Sequence, residues 1–408
     1  MLPRRADLAG RKLRVVFYCP DRHIVYDGRT PERRGVGGGV TARVRMARAL
    51  ARLGHRVTMV ANCPRPRRFD GVDYVPVDEA SRLEGDVAVL TTSGGGLDLA
   101  PARSLEIEAR LRIVWVHGPE KPGGFDEIRA DAVYAVSNFV GDAVRSAWGV
   151  PGERLFVVHN GYEEEHFKRA QIWRFRRDPH RLVYFSHPSK GLEAAIGVLR
   201  RLRQAEPAFQ LIVFGGPELW GEAPGARRDE PGVIDHGLVG QGALALELIR
   251  SAFSIHLQTR EEPGSLAITE AQRAGCVILA SPVGCFPEYV ADGEEGFLIP
   301  GDPLSPEVQA RAARRVLEIS RDPEALTRVR RAGLMSAKST DLLARVWVAD
   351  WERRMRGERG VTSPQACTEC GGTMALLADG LHCLACGTFA RLRQQPSAEG
   401  GEMAMRRG

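Results

Sequence analysis

The 408-residue sequence lacks the features that mark membrane-spanning, secreted or disordered proteins. No apolar run approaches the ~20 residues that are needed to cross a bilayer. The basic residues 1–12 are not followed by a typical signal-peptide core and cleavage site. Hydrophobic residues make up 43% and charged residues 26%, which is ordinary for a globular protein. We therefore expect a cytoplasmic protein, one that could also attach peripherally to the inner face of a membrane.

Charge of one sign is not concentrated in any long run, although 57 lysine and arginine residues against 51 acidic ones give a net charge of +6. So modest an excess permits weak attraction to anionic lipid or phosphate-bearing ligands, and it does not by itself indicate nucleic acid. Arg43, Arg45 and Arg48 lie in a segment of helical period. They could form a solvated helix face or contact an anionic membrane, and we favour the solvated face.

Two short motifs are also missing. The chain has no Asp-x-Asp pair, which a divalent metal holding a diphosphate would require. The glycine-rich loop 35–39 does not have the G-x-G-x-x-G spacing of the dinucleotide fingerprint. Glycines at a helix start nevertheless let backbone amides approach a ligand within a positive potential. The loop is therefore a candidate binding loop, with a flexible turn as the alternative.

Strand-like and helix-like segments alternate along most of the sequence, which is typical of βαβ units on a parallel sheet. A polar, arginine-rich stretch at 168–181 separates two such series. We therefore predict an α/β fold of two Rossmann-like domains facing across a cleft, with ligand at the carboxyl ends of the strands. The predicted boundaries are 1–166 for the first domain, 167–340 for the second, 341–358 for a C-terminal helix packing back on the first, 364–392 for a small zinc ribbon and 393–408 for a disordered tail.

Lys190 follows a predicted strand and lies at the start of a predicted helix, within the run Ser186 to Leu192. A lysine at that place can reach a phosphate bound in the cleft. Taken alone, Lys190 is more readily explained as a solvated residue at a helix start.

Glu262 and Glu270 are separated by seven residues and bracket Gly264 and Ser265, which open a predicted helix. The free amides of a helix start suit a diphosphate, and Glu270 could receive sugar hydroxyls. Either glutamate alone would be interpreted as an ordinary surface charge.

These pieces occur in an order that resembles the GT-B glycosyltransferases of retaining family four, the glycosyl transferases group 1. The resemblance covers roughly residues 13–355 and is most specific in the E-x7-E element with its downstream Ala-Gly-Cys and Pro-Glu. The matching stretches are GVGGGVTARVRMARALARLGHRVTMV, VYAVSNFVGDAVRSAWGVPGERLFVVHNGYEEEHF, RLVYFSHPSKGLEAAIGVLRRLRQAEPAFQLIVFGG and EEPGSLAITEAQRAGCVILASPVGCFPEYVADGEEGFLIP.

The resemblance implies a GT-B fold and transfer of a sugar from a nucleotide diphosphate sugar, with retention of anomeric configuration and without a catalytic metal. It implies that the second domain binds this donor. The first domain would bind the acceptor, which could be a glycan, a lipid-linked molecule or a small molecule. Nucleic acid is not expected as a partner.

The resemblance also implies roles for individual residues. Lys190 would stabilise the donor diphosphate, Glu262 would face the donor sugar and Glu270 would hold the ribose hydroxyls. His117 matches a family histidine near the reacting sugar. The remaining expected donor-binding residues are Gly38, Gly39, Ser186, Gly264, Ser265 and Leu266.

The sequence departs from the family pattern at the expected site. No arginine lies in the loop 186–189, where many relatives pair one with the lysine, and Arg260 could supply that charge instead. Gly118 follows His117 where relatives often have aspartate, and the usual Pro-Ser before Glu262 is missing. A second hypothesis therefore stays open: a catalytically weak sugar-nucleotide-binding or scaffold protein.

Four cysteines near the C-terminus, Cys367, Cys370, Cys383 and Cys386, have the spacing C-x2-C-x12-C-x2-C. Two such pairs of thiolates can complete a tetrahedral metal site, which predicts a structural Zn²⁺ in a zinc ribbon rather than redox or free thiols. The ribbon could dock a partner or substrate. The other four cysteines are scattered, and we expect them to be reduced.

Overall fold

The computed structural model describes residues 11–92, 97–169, 177–225 and 229–357, together with the backbone of four short strands between 362 and 390. The first series of strands and helices forms one parallel sheet with helices on its faces. Its strands are β1 (Arg14–Tyr18), β2 (Arg56–Ala61), β3 (Arg67–Phe69), β4 (Val72–Pro76), β5 (Arg82–Thr92), β6 (Glu106–Val116), β7 (Ala132–Ala135) and β8 (Leu155–Val157). Its helices are α1 (Thr30–Arg33), α2 (Gly38–Arg52), α3 (Phe125–Ile128), α4 (Asn138–Ser146) and α5 (Glu164–Arg169).

The strand order in this sheet is β3-β4-β2-β1-β5-β6-β7-β8, and only the β3–β4 pair is antiparallel. Short apolar runs become strands that are buried on both faces, as in β7, where all four residues are buried. Strands β2 to β4 are added on one side of β1, and β5 to β8 are added on its other side, so the strand order reverses between β1 and β5. In such folds a crevice opens outside the carboxyl ends of the strands at this point.

The second series forms a six-stranded parallel sheet in the order β11-β10-β9-β12-β13-β14. Its strands are β9 (Asp178–Phe185), β10 (Gln210–Phe214), β11 (Val233–Gly237), β12 (Ser251–His256), β13 (Val277–Ala280) and β14 (Gly296–Leu298). The helices that follow β9 in the chain are α6 (Leu192–Ala205), α7 (Gln241–Arg250), α8 (Leu266–Ala274), α9 (Phe286–Tyr289), α10 (Pro306–Arg321), α11 (Pro323–Ser336) and α12 (Thr340–Met355).

Alternating residues of β9 point into two separate cores. Leu182 and Tyr184 pack with α6 and α10 on one face, whereas Val183 and Phe185 pack with α7 and α8 on the other. This two-sided burial is what a strand covered by helices on both faces requires. The direction of travel reverses between β9 and β12, so a second crevice opens there.

The chain crosses between the domains twice, and the two crossings lie side by side. The Tyr162 amide donates to the Lys338 carbonyl at 3.1 Å, and the Thr340 amide donates to the Tyr162 carbonyl at 2.9 Å. Helix α12 then packs on the first domain, where the Trp347 ring meets Trp115 edge-on at 4.8 Å between ring centroids. Residues that follow the second domain in the sequence therefore complete the core of the first domain.

The arginines of α2 correct the expectation from the sequence. Arg43, Arg45 and Arg48 are 0%, 3% and 5% exposed, so they form neither a solvated face nor a membrane contact. Each has an acidic partner: Asp21 for Arg43, Glu270 for Arg45 and Glu32 for Arg48. Of these three partners, Asp21 and Glu32 lie in the first domain and Glu270 in the second, so ion pairs within and between the domains take the place of water. None of the described helices is long and apolar enough to cross a membrane.

The C-terminal unit, described by itself, is a four-stranded antiparallel sheet in sequential order. Its strands are β15 (Thr362–Ala366), β16 (Thr373–Leu377), β17 (Gly380–Cys383) and β18 (Phe389–Ala390). Of the four predicted zinc ligands, Cys367, Cys370 and Cys386 lie outside the described residues, and only the backbone of Cys383 is described. The zinc site therefore stays a prediction.

Candidate functional site

Two adjoining cavities occupy the cleft between the two parallel sheets. The inner cavity, of about 160 Å³, lies between the glycine loop 35–38 and the second domain. The outer cavity, of about 650 Å³, opens beside it toward His117 and Pro119 of the first domain. All ten predicted catalytic and donor-binding residues line one cavity or both. The structure thus brings them together, although their roles remain predictions.

Lys190 and Glu262 lie at the boundary of the two cavities. The Lys190 ammonium donates to the Glu262 carboxylate, with 2.8 Å between Nζ and Oε2. Gly191 makes this approach possible, because its φ is +106° and a Cβ there would lie 1.9 Å from the Leu257 carbonyl oxygen. A negatively charged ligand in the cleft would share Lys190 with Glu262.

The start of α8 faces the same boundary. Ser265 caps the helix, since its hydroxyl accepts a hydrogen bond from the Ile268 amide at 3.1 Å. The remaining first-turn amides have no partner inside the helix and are available to an anion. Gly264 permits close approach of the first domain, because a Cβ there would lie 2.8 Å from the Val136 side chain.

The start of α2 approaches α8 from the opposite side of the cleft. Gly38 is the first residue of α2, and a Cβ built on it would lie 3.9 Å from the Leu266 side chain. Gly39 lines the outer cavity, and Ser186 lines the inner one. The N-termini of two long helices therefore converge on one place, and both contribute positive potential to it.

Glu270 lies deeper, in the inner cavity, and is 6% exposed. Its partner is Arg45 of the first domain, which the sequence did not indicate as a site residue. Arg45 also donates to the Gln241 side chain at 2.7 Å. Glu270 is thus held by a charge from the other domain.

His117 directly follows β6 and lines the outer cavity. Burial, and secondarily the positive charge of Arg43, lowers the pKa of His117 to about 3, so the ring is neutral near pH 7. Its Nε2 atom is buried and has no hydrogen-bond partner within the described ranges. Buried polar atoms in native proteins usually have a partner, so this nitrogen is available to a ligand in the cavity.

An aromatic stack that the sequence did not indicate separates the two cavities. The Trp220 ring lies 3.6 Å from the His187 ring at an interplanar angle of 10°, and the Arg260 guanidinium lies 4.9 Å from the Trp220 centroid. Arg260 has no acidic partner in the part of the chain that the structure describes. It therefore adds positive charge to the outer cavity near Lys190, the place where the sequence lacks an arginine.

Glu288 of α9 joins the two domains beside the outer cavity. Its carboxylate accepts hydrogen bonds from the Asn138 and Phe139 amides at 2.7 and 2.8 Å, and Nε2 of His159 lies 2.9 Å away. Burial disfavours the charged form, but the contacts with His159 and the amides outweigh it and lower the pKa of Glu288. A residue of the second domain thus caps the N-terminus of α4 in the first.

Among the described residues, no group of three or more histidine, cysteine, aspartate or glutamate side chains is arranged to hold a metal ion. The positive groups near the cleft boundary are the side chains Lys190 and Arg260 and the two helix N-termini. An anionic ligand with apolar and hydroxyl-bearing parts fits this chemistry.

Comparison with known proteins gives matches to sugar-transferring enzymes. Residues 181–333 match the family described as glycosyl transferases group 1. The chain is 27% identical over 294 residues to the glycogen synthase of Xanthomonas campestris pv. campestris (strain 8004), covering 68% of this chain and 60% of that enzyme. The chain therefore spans less than two thirds of the length of this relative.

Two solved structures resemble the chain at 16% sequence identity. Sucrose-phosphate synthase from Thermosynechococcus elongatus superposes with a TM-score of 0.61, covering 84% of this chain and 99% of that one. Anabaena Alr3699/HepE in complex with UDP-glucose gives a TM-score of 0.57, covering 83% of this chain and 98% of that one. These similarities confirm the predicted α/β fold with two parallel sheets, as in GT-B proteins, and leave the zinc ribbon untested.

Proposed function

We propose that the protein is a glycosyltransferase that moves a sugar from a nucleoside diphosphate sugar to an acceptor. The observation that carries this proposal is the placement of Lys190 beside Glu262 and the N-terminus of α8, at the meeting point of the two cavities. The match of residues 181–333 to the glycosyl transferases group 1 supports it. So does the likeness to Alr3699/HepE, whose structure contains UDP-glucose.

The chemistry of the transfer explains the residues of the site. When the bond between the anomeric carbon and the phosphate oxygen breaks, the electron pair stays on the diphosphate and positive charge builds on the sugar. Lys190 and the first-turn amides of α8 stabilise the departing diphosphate, which lowers the barrier electrostatically. Glu262 lies next to Lys190 and faces the developing positive charge on the sugar.

The two cavities divide the substrates between them. The inner cavity holds the nucleotide, with the ribose hydroxyls donating to Glu270. The outer cavity holds the acceptor, whose attacking hydroxyl forms the new bond to the anomeric carbon and passes its proton to the departing diphosphate. Neutral His117 faces this cavity and is placed to hydrogen-bond the reacting sugar. The acceptor is a glycan, a lipid-linked molecule or a small molecule that fits about 650 Å³.

Two finer features belong to the same proposal. The sugar is transferred with retention of configuration, in keeping with the resemblance of the E-x7-E element. The donor diphosphate is held by Lys190, Arg260 and helix amides in place of a metal. The absence of any Asp-x-Asp pair from the sequence supports this assignment.

The first test is the thermal stability of the full chain against uridine, guanosine, adenosine and cytidine diphosphates and their sugar conjugates. A ligand at ~100 times its dissociation constant adds about 2.7 kcal/mol to the state that binds it. We expect one nucleotide to raise the melting temperature by several degrees. A flat response to every nucleotide would contradict the proposed function.

The second test separates binding from turnover. Glu262→Ala should lower turnover strongly with the selected donor while nucleotide binding is largely kept. Glu318→Ala, at an exposed position of α10, is the matched control and should change neither. Equal turnover in wild type and Glu262→Ala would show that the site is wrongly assigned. Nucleotide binding without turnover on any acceptor would favour the sugar-nucleotide-binding or scaffold alternative.

We also propose that the four C-terminal cysteines hold a structural Zn²⁺. The register pairs Ala366 with Thr373 and Met374 with Cys383. The end of β15, the start of β16 and the end of β17 therefore lie at the same end of the sheet. In the sequence, Cys367 and Cys370 follow β15, and Cys383 and Cys386 lie at and after the end of β17. We expect one zinc per chain by elemental analysis and its loss in Cys383→Ser, with Cys63→Ser as the control. A zinc-free wild type purified without chelator would contradict the site.

A further inference from the structure

Arg45 and Glu270 form an ion pair that joins the two domains inside the inner cavity wall. Arg45 lies on α2 of the first domain and Glu270 on α8 of the second. Their side chains are 3% and 7% exposed, so the pair is almost completely removed from water. An unpaired charge in such a place is costly, and each partner therefore depends on the other.

The ion pair uses only one of the two carboxylate oxygens of Glu270. The Arg45 guanidinium donates to Oε1 of Glu270, and Oε2 has no hydrogen-bond donor among the described residues. An ionised carboxylate can accept about four hydrogen bonds through its two oxygens. Glu270 lines the inner cavity, so it can accept from ligand hydroxyls while it stays paired with Arg45.

Two further contacts fix the Arg45 guanidinium. Its Nη2 atom donates to the Gln241 side chain at 2.7 Å, and its Nη1 atom lies 3.5 Å from the Gly161 carbonyl oxygen. The same carbonyl accepts a hydrogen bond from the Thr340 hydroxyl at 2.9 Å. Arg45 is thus anchored to α7 and to the place where the chain crosses between the domains.

We propose, on the basis of the proposed function, that Arg45 is the residue that positions Glu270 for the nucleotide ribose. Arg45 holds the carboxylate in the orientation in which it accepts hydrogen bonds from the vicinal ribose hydroxyls. The recognition of ribose therefore depends on a side chain from the acceptor domain. The donor site is complete only while the two domains are in contact.

The test compares Arg45→Met with Arg48→Met in the full chain. Arg48 lies one turn away on α2 and is similarly buried, but its partner Glu32 belongs to the first domain and lines neither cavity. The probes are the nucleoside diphosphate selected by the stability test and its 2′-deoxy and 3′-deoxy counterparts. The measured quantity is the ratio of their dissociation constants to that of the ribonucleotide.

A hydrogen bond to a charged group is worth roughly a 10- to 100-fold difference in binding, so wild type should prefer the ribonucleotide by about this factor. Arg45→Met should reduce this preference to about 3-fold or less, because it weakens the binding of the ribonucleotide and leaves the binding of the deoxynucleotides unchanged. Arg48→Met should keep the preference of wild type. Glu270→Gln should reduce the preference for the ribonucleotide as Arg45→Met does. The double variant should reduce it little further, because both substitutions act on one interaction.

Arg45→Lys retains the positive charge and is the variant to measure if Arg45→Met does not fold. We expect its preference for the ribonucleotide to lie between those of wild type and Arg45→Met. Equal weakening of ribonucleotide and deoxynucleotides by both substitutions at Arg45 would show a purely structural role and overturn the inference. Wild-type binding without any preference for ribose would overturn it while leaving the proposed function intact. A wild type that binds no nucleoside diphosphate would overturn both.

Discussion

Two histidines, His117 and His256, contribute to the response of the protein to mild acid. Burial lowers the pKa of His117 and of His256 to about 3, and the positive charges of Arg43 and Lys190 add to the effect. Both rings stay neutral in the folded state near pH 5, whereas an exposed histidine in the unfolded chain gains a proton below about pH 6.5. The unfolded state then binds more protons, so stability falls as the pH is lowered.

We predict that each of these histidines removes about 1.4 kcal/mol of unfolding free energy per pH unit below pH 6.5. Urea unfolding between pH 7.5 and 5 measures the slope, and His256→Gln should make it shallower. His236→Gln, at an exposed position, is the control and should leave the slope unchanged. An identical slope in wild type and His256→Gln would contradict the prediction.

Local pattern in the sequence indicated Lys190 and Glu262 only as candidates, because each lies near a helix start that follows a strand, and the family resemblance supplied their expected roles. It did not identify Arg45, because the partner of Arg45 lies 225 residues away in the other domain. Trp220 was missed for a similar reason, since its contacts with His187 and Arg260 depend on three separate loops. Local sequence signals report on backbone geometry and carry little information about such long-range pairs.

Among the helices, α2 illustrates how far hydrophobic periodicity can be trusted. The segment of helical period that contains Arg43, Arg45 and Arg48 forms the helix Gly38–Arg52, and Gly54, with a φ of +89°, follows it. The burial of its arginines could not be predicted, because the helical pattern separates apolar from polar faces but does not say what the polar face meets. Here the arginines meet Asp21 and Glu32 of the first domain and Glu270 of the second, and ion pairs replace water.

Helix α4 leads to a prediction about the contact between the domains. Glu288→Ala removes the carboxylate that accepts from the Asn138 and Phe139 amides and contacts His159. We expect a loss of ~1–3 kcal/mol in unfolding free energy, since hydrogen bonds to a charged group are removed. Amide hydrogen exchange at the start of α4 should become faster.

Glu294→Ala is the matched control for this variant, because Glu294 is exposed on a nearby loop of the same domain. It should leave both the stability and the exchange of α4 unchanged. If Glu288→Ala also leaves α4 exchange unchanged, the contact contributes nothing to the capping of this helix in solution.

At the scale of the whole molecule, the two domains depend on each other through α12. Trp347 is 1% exposed and packs edge-on against Trp115 and Tyr134 of the first domain. We predict that Trp347→Ala costs ~3–5 kcal/mol, as expected for a truncated buried aromatic side chain. Hydrogen exchange should show the loss of protection in β6 and β7, far from Trp347 in sequence.

Trp220→Ala makes the same substitution at a side chain that is 37% exposed, and it should cost much less. Loss of protection confined to the second domain in Trp347→Ala would mean that α12 does not stabilise the first. The sequence predicted two Rossmann-like domains because βαβ alternation is a local pattern. The sequence analysis also expected a helix at 341–358 to pack back on the first domain, but the individual contacts of Trp347 are tertiary ones that no periodicity encodes.

The position of α12 has a consequence for the synthesis of the protein on the ribosome. About 200 residues separate Tyr134 from Trp347, and at ~5–20 residues per second their translation takes ~10–40 s. During this interval β6 and β7 have been made, while the helix that covers them has not. The aromatic surface of the first domain therefore stays uncovered until nearly the whole second domain has been synthesised. Transiently exposed apolar surface of this kind makes an incomplete chain prone to aggregation.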